Sequence, residues 1–191
     1  MSWLFDTSLI SAIQAALSPT FDWLFIFFTL LGEDYFYIIL IGIVYWCFHK
    51  KGAVFFAYLI LFSAYVNYFF KMLFNMDRPP PAYRIIDKTD ISHGFPSGHA
   101  QSSTVFWTSA YVKIRSKLLY FLSPFLIFMI GLSRIYLGVH YPGDVIGGVI
   151  IGLAFTLVVL LTYRHISAFR EGFSSTSRRS ILPLMTLVLF I

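Results

Sequence analysis

Apolar residues run along this chain in stretches separated by short polar or turn-forming clusters, and the breaks define its elements. Residues 7–17 are weakly amphipathic and end at Ser18-Pro19-Thr20. The run 21–31 is apolar apart from Asp22 and Thr29 and stops at Gly32-Glu33-Asp34. At 1.5 Å per residue that run covers about 17 Å, too short for a hydrocarbon core of about 30 Å. The segment 5–31 is therefore expected to be an interfacial or re-entrant helix, and nothing in it has the pattern of a signal peptide. Five stretches then read as spans, over 35–48, 53–74, 98–113, 118–137 and 143–163. The first and third are short and borrow length from their neighbours. A last apolar run, 181–191, is too short to cross and reads as the start of a further span or as an interfacial end. The expected fold is all-α: a polytopic transmembrane helical bundle of about five or six spans, forming one domain over 1–191.

Composition strengthens that picture. Of 191 residues, 58% are hydrophobic and only 12% charged, where soluble domains carry about 25% charge. A mean hydropathy of +0.77 leaves more apolar surface than a soluble fold of this size can bury. A water-soluble enzyme, a secreted disulfide scaffold and a disordered linker are excluded. The single cysteine, Cys47, forms neither an internal disulfide nor a cysteine metal site and reads as a core or lipid-facing residue.

The net charge of +5 does not point to nucleic acid, because no basic stripe follows a polar face. The basic residues instead mark sidedness. Nine of the 14 fall in one set of connectors: Lys50, Lys51, Lys113, Arg115, Lys117, Arg164, Arg170, Arg178 and Arg179. Lys71, Arg78, Arg84, Lys88 and Arg134 fall on the other side. The first set is expected to be cytoplasmic. His49 and His165 lie with it and read as headgroup contacts. Tyr35, Tyr37 and Tyr45 read as packing and interfacial belt, and Tyr65 and Asn67 as interhelical hydrogen-bonding groups.

Three clusters fall together on the second side. Lys71 and Arg78-Pro79 stand at the exit of the second span, and Pro96-Ser97-Gly98-His99 opens the third. Ser133-Arg134, His140 and Asp144 lie between the fourth and fifth. Lys71, Arg78 and Arg134 supply fixed positive charge, and arginine offers paired donors that match phosphate oxygens. Ser97 and Gly98 stand at a helix start, where free backbone N–H groups and the dipole favour an anion. Asp144 follows His140 by four residues, a spacing that returns the carboxylate to the imidazole on a helix opened by Pro142. An imidazole so oriented is a better nucleophile, and His99 is left as the acid. His93 stands near the site without an assigned role. No carboxylate cluster suited to magnesium is present, so no metal and no cofactor is expected.

These clusters resemble the three-part signature of the type 2 phosphatidic acid phosphatase family: Lys-x6-Arg-Pro, Pro-Ser-Gly-His and Ser-Arg-x5-His-x3-Asp. All three match in order over residues 71–144, and the hydrophobic pattern fits from about 35 to 163. The resemblance implies a helical-bundle lipid phosphatase related in its core to vanadium haloperoxidases. It also implies His140 as a nucleophile forming a phosphohistidine, Asp144 as its partner and His99 as general acid. Lys71, Arg78, Ser97, Gly98 and Arg134 would bind phosphate. The expected substrate is a lipid phosphate or diphosphate: polyprenyl diphosphate, phosphatidic acid or phosphatidylglycerol phosphate. The short chain leans towards the polyprenyl-diphosphate members. The expected location is the plasma membrane with the site on its non-cytoplasmic face. A lipid phosphotransferase using the same site and a non-catalytic phospholipid transporter are the alternatives.

Overall fold

The computed structural model describes residues 2–86 and 92–172, with side chains over 4–86 and 92–163. Among the described residues there are seven α-helices and no strand. They are α1 (Ser8–Leu17), α2 (Asp22–Leu30), α3 (Asp34–Cys47), α4 (Lys50–Phe74), α5 (Gly98–Ile114), α6 (Lys117–Tyr136) and α7 (Pro142–Gly172). The basic stretch 174–180, the run 181–191, Lys88 and the side chain of His165 lie outside the described residues. The chain divides into two compact units, Met1–Thr156 and Leu157–Ile191, and every candidate site residue falls in the first.

The breaks fall where the turn-forming clusters stand. α1 stops at Leu17 before Ser18-Pro19-Thr20, and Gly32-Glu33 separates α2 from α3. α2 is followed by α3 across a 53° bend, and by length and composition the two together read as a broken span or a re-entrant loop, re-entrant being one of the two readings expected for 5–31. Phe28 of α2 is buried with Leu126 and Ile130 of α6, which holds α2 within the bundle.

Three helices are long and apolar enough to cross a membrane: α4, α6 and the Pro142–Tyr163 part of α7. The bent pair makes at most a fourth, so the expected count of five or six is not reached by length and composition alone. The difference lies in α5, whose 17 residues include Gln101, Ser102, Ser103, Thr104 and Ser109, all buried. α5 packs against both α4 and α6, while α4 and α6 turn Leu61, Phe62, Phe69, Phe121 and Phe128 outward. Polar groups inside and apolar groups outside suit a lipid solvent, where interhelical hydrogen bonds and small residues bind helices together.

Hydrogen bonds account for much of that polar interior. Gln101 Nε2 donates to the Ser63 carbonyl at 2.8 Å, and Asn67 Nδ2 donates to Gln101 Oε1 at 3.0 Å. Thr104 Oγ1 returns a bond to the Ala100 carbonyl at 2.7 Å. Asn67 therefore bridges helices as expected, whereas Tyr65 is 70% exposed and does not point inward. Tyr37 is fully buried against Phe106, a packing residue as expected. His49 also has a local job: its Nδ1 accepts from the Gly52 N–H at 2.8 Å and caps α4. Cys47 is exposed on the outer surface.

α7 lies close against α5. A Cβ at Gly148 would stand 2.6 Å from the Ser97 carbonyl oxygen, and one at Gly152 would stand 2.9 Å from Thr104 Cβ. Two glycines four residues apart thus let the backbones approach. The same approach joins the first turns of both helices, where Ser97 N donates to the Asp144 carbonyl at 2.9 Å.

Candidate active site

Four chain segments meet at one end of the bundle: the last turn of α4, the first turn of α5, the last turn of α6 and the first turn of α7. Ser63, Asn67 and Lys71 occupy successive turns on the inward row of α4, and all are buried. Asn75, in the left-handed region at φ 46°, closes α4 by donating to the Lys71 carbonyl. Lys71 Nζ donates to the His93 carbonyl oxygen, so His93 contributes backbone to the site. Arg78 follows in the loop. Its Nε reaches the Ser92 carbonyl and its Nη2 the Ser92 hydroxyl, each at 2.9 Å.

Beyond α6 the chain folds back on itself. Val139 N and His140 N both donate to the Arg134 carbonyl, at 3.2 and 3.3 Å. Gly138 permits the turn at φ +69°, and a Cβ there would meet the Tyr83 carbonyl oxygen at 1.9 Å, so only glycine fits. This loop seals His140, which is 2% exposed, above Asp144, which is fully buried. Pro142 opens α7 as expected, and His140 Nδ1 lies 3.2 Å from Asp144 Oδ2. The same carboxylate oxygen accepts the Tyr141 N–H at 2.9 Å, which fixes its direction.

The cations converge on this pair. Burial holds the His140 imidazole well below its ordinary value, and Arg134, Arg78, Lys71 and His99 push it the same way. Arg134 is 1% exposed, and its Nη1 donates to Thr29 Oγ1 at 2.6 Å. Ser97 is fully buried before α5, with its hydroxyl unpartnered. A Cβ at Gly98 would come within 3.3 Å of Asn67 Oδ1, so the helix start sits tightly on α4. His99 Nε2 lies 3.2 Å from Glu33 Oε1, an ion-pair distance.

Of the eight candidates, Lys71, Gly98, His99, Arg134 and Asp144 stand on the four converging turns, Ser97 immediately precedes α5, and Arg78 and His140 stand in the loops that follow α4 and α6. Two contributors escaped the sequence reading. Thr29 and Glu33 come from α2 and the break after it, and their only signal was polarity beside an apolar run. The assembly can hold a tetrahedral anion between cations and a helix start while presenting a neutral, oriented imidazole.

An all-helical membrane bundle with buried cations and histidines gathered at one end is the class that fold and geometry define. The model of the PAP2 superfamily matches residues 52–167, and the chain belongs to that family. The resemblance carried by the three motifs is borne out. Phosphatidylglycerophosphatase B of Bacillus subtilis (strain 168) is 33% identical over 89 residues, covering 42% of this chain and 44% of that protein. A probable sphingosine-1-phosphate phosphatase of Dictyostelium discoideum is 28% identical over 87% of this chain and 44% of its own length. The chain thus spans under half the length of these two relatives. Among solved structures, Aquifex aeolicus LpxE superposes with a TM-score of 0.66 at 27% identity, covering 80% of this chain and 92% of that one. The transmembrane PAP2 type phosphatidylglycerolphosphate phosphatase of Bacillus subtilis gives 0.69 at 22% identity, over 89% and 86%, a likeness of fold.

Proposed function

We propose that this chain is a membrane phosphatase that hydrolyses a lipid phosphate or diphosphate through a phosphohistidine on His140. The observation that carries the reading is the sealed His140–Asp144 pair beneath Arg134, Arg78 and Lys71. Asp144 Oδ2 holds the proton on Nδ1, which leaves the lone pair of Nε2 to attack phosphorus. As the P–N bond forms, the bond to the leaving oxygen breaks, and protonated His99 gives that oxygen its proton. Lys71, Arg78, Arg134, the Ser97 hydroxyl and the α5 N–H groups stabilise charge on the equatorial oxygens. In the second step water attacks phosphorus, neutral His99 takes its proton, and the P–N electrons return to His140.

The names of its relatives support a phosphorylated lipid as substrate, with polyprenyl diphosphate, phosphatidic acid and phosphatidylglycerol phosphate as candidates. The split of basic residues supports a plasma-membrane protein whose site faces the non-cytoplasmic side. In this topology α5, about 25 Å long, crosses as a polar central span wrapped by its neighbours. A phosphate-release assay on purified protein tests the reading, with phosphatidic acid and with polyprenyl diphosphate, each with and without a hydroxyl acceptor. Release that needs His140 supports hydrolysis. Transfer to the acceptor would make the chain a phosphotransferase, and neither reaction would leave a binding or transport protein.

A further inference from the structure

α1 packs at the end of the bundle that carries the site, yet it takes no part in the mechanism above. Ile10 is fully buried with Ala100 of α5, Ile135 of α6 and Val145 of α7, and Ile13 and Tyr83 pack against the same cluster. Gln14 stands one turn further along that inward row. Its Nε2 donates to two carbonyl oxygens, Tyr83 O at 2.8 Å and Tyr136 O at 2.7 Å. A carboxamide nitrogen carries two hydrogens, so both bonds form at once. Each acceptor ends a helical segment: Tyr83 closes the 3₁₀ turn Pro81–Tyr83, and Tyr136 closes α6. The last carbonyls of a helix have no partner within it, so one side chain caps two helix ends.

Both capped segments carry site residues. Tyr83 follows Arg78 through Pro79-Pro80-Pro81, whose rings fix φ and stiffen the link, so a shift at Tyr83 is passed to Arg78. Tyr136 stands between Arg134 and His140. The two segments also touch directly: Ile85 N donates to the Leu137 carbonyl at 3.2 Å, and Arg78 Nη1 to the Val139 carbonyl at 3.4 Å. Without the donor from α1, two helix-end carbonyls would be left close together and without the bonds that hold them. We infer that Gln14 is a positioning residue that ties the Arg78 loop to the His140 loop and so sets the reach of the Arg78 guanidinium towards a phosphate on His140. The inference rests on the phosphatase reading and deepens it. Gln14 touches no reacting atom and acts through Arg78. The charged and titratable groups around His140 are Lys71 from α4, Arg78 from its loop, His99 from α5, Arg134 from α6 and Asp144 from α7. Arg134 is anchored separately on Thr29, whereas Arg78 belongs to the loop that Gln14 holds.

The test compares wild type, Gln14→Met, Arg78→Gln and the Gln14→Met/Arg78→Gln double variant, all purified in detergent. Gln14→Met keeps the length and neutrality of the side chain and donates nothing. The substrates are dioleoyl phosphatidic acid and 4-nitrophenyl phosphate. Gln14→Met is expected to lower kcat/KM by about 10–100-fold with both, because the grip on the phosphate is displaced and not the leaving group. The acid limb of kcat/KM should move up, in the direction of Arg78→Gln and by no more, since the Arg78 charge has drawn away from His140. The position of that limb does not depend on how much protein is folded, so a loss of stability alone leaves it in place. The double variant should lose less than the product of the two single losses. Gln14→Asn, which keeps both donors one methylene short, carries the same readouts with a smaller expected change and replaces Gln14→Met if that protein does not fold. An unmoved acid limb, or fully multiplied losses in the double variant, would overturn the role of Gln14. His140→Ala run alongside separates the two claims. An active His140→Ala protein defeats the phosphatase mechanism, whereas an inactive one beside an unmoved Gln14→Met profile defeats only this inference.

Discussion

The site holds two carboxylate–imidazole pairs of equal length and opposite construction. Asp144 and His140 are four residues apart, 3.2 Å apart in space and sealed at 0% and 2% side-chain exposure. Glu33, in the break before α3, and His99, on α5, are also 3.2 Å apart, but are 14% and 16% exposed. The first pair is made by one turn at the start of α7, so its geometry needs little more than Pro142 and the folded-back loop. The second exists only because α2, α3, α5 and α6 pack correctly around Gly32. A nucleophile gains from a dry, fixed setting in which it stays neutral. A group that must exchange protons with water in each cycle gains from a partly open one.

The largest effects belong to the sealed pair. His140→Ala should abolish turnover and any trapped phosphoenzyme. Asp144→Asn should leave folding intact and lower kcat by about 10²–10⁴-fold, as expected when the orienting acid of a nucleophile–base pair is lost. Rapid-quench labelling with a phosphorus-labelled substrate, followed by peptide mapping, measures both. Label on His99 instead of His140 would invert the assignment of the two pairs.

Arg134 comes next. Its guanidinium is 1% exposed and anchored through Nη1 to Thr29, so its remaining donors are aimed by the fold. Arg134→Lys keeps the charge and loses the planar fork, and kcat should fall by about 10²-fold or more if two transition-state oxygens share it. A loss confined to KM would instead give Arg134 a role in ground-state binding alone.

The pH profile separates the pairs from opposite sides. Burial and the surrounding cations lower the pKa of His140, so its neutral form persists as pH falls and the acid limb of kcat/KM should lie below 6.5. Arg78→Gln removes one lowering charge, so His140 protonates at higher pH and the acid limb should move up. His99→Ala should remove the other limb, which reports the proton on the general acid. The bell then changes on one side only in each variant, and limbs that moved together would show that both belong to one coupled unit.

How much of this could be read from the sequence follows the same division. The breaks at Ser18-Pro19-Thr20, Gly32-Glu33-Asp34 and Pro142 are local turn chemistry, and the helices start and stop beside them. The His140–Asp144 contact is also local. Ser63, Asn67 and Lys71 follow a four-residue period on the inward row of α4, but the sequence reading singled out only Asn67 and Lys71 and grouped Asn67 with Tyr65, which lies off that row and faces outward. The contact from Arg134 to Thr29 spans 105 positions, and no period or spacing encodes it. Hydropathy gives α2 its apolar character but not its neighbours, which is why its packing on α6 emerged only from the structure. For α5, polar residues inside a bundle and polar residues facing water look alike in a sequence.

The smallest effect is expected from Gly32→Ala, and it isolates the open pair. The added methyl would stand 2.7 Å from Ile130 Cγ2 and 3.0 Å from His99 Cδ2. Ile130 of α6 is fully buried against α2, so little can yield except the break itself. Glu33 is the next residue and must move with it, while Asp144 and His140 are held by the α7 turn and the folded-back loop. A displacement of a fraction of an ångström in the acid pair should lower kcat on phosphatidic acid by about tenfold. Overpacking should also cost about 1–3 kcal/mol of stability, read as a lower Tm in detergent. Phosphorylation of His140 by 4-nitrophenyl phosphate, which needs no proton from His99, should keep most of its rate in a rapid-quench measurement. Equal losses with both substrates would mean that the break also positions the nucleophile, and the two pairs would then have to be treated as one assembly held together through α6.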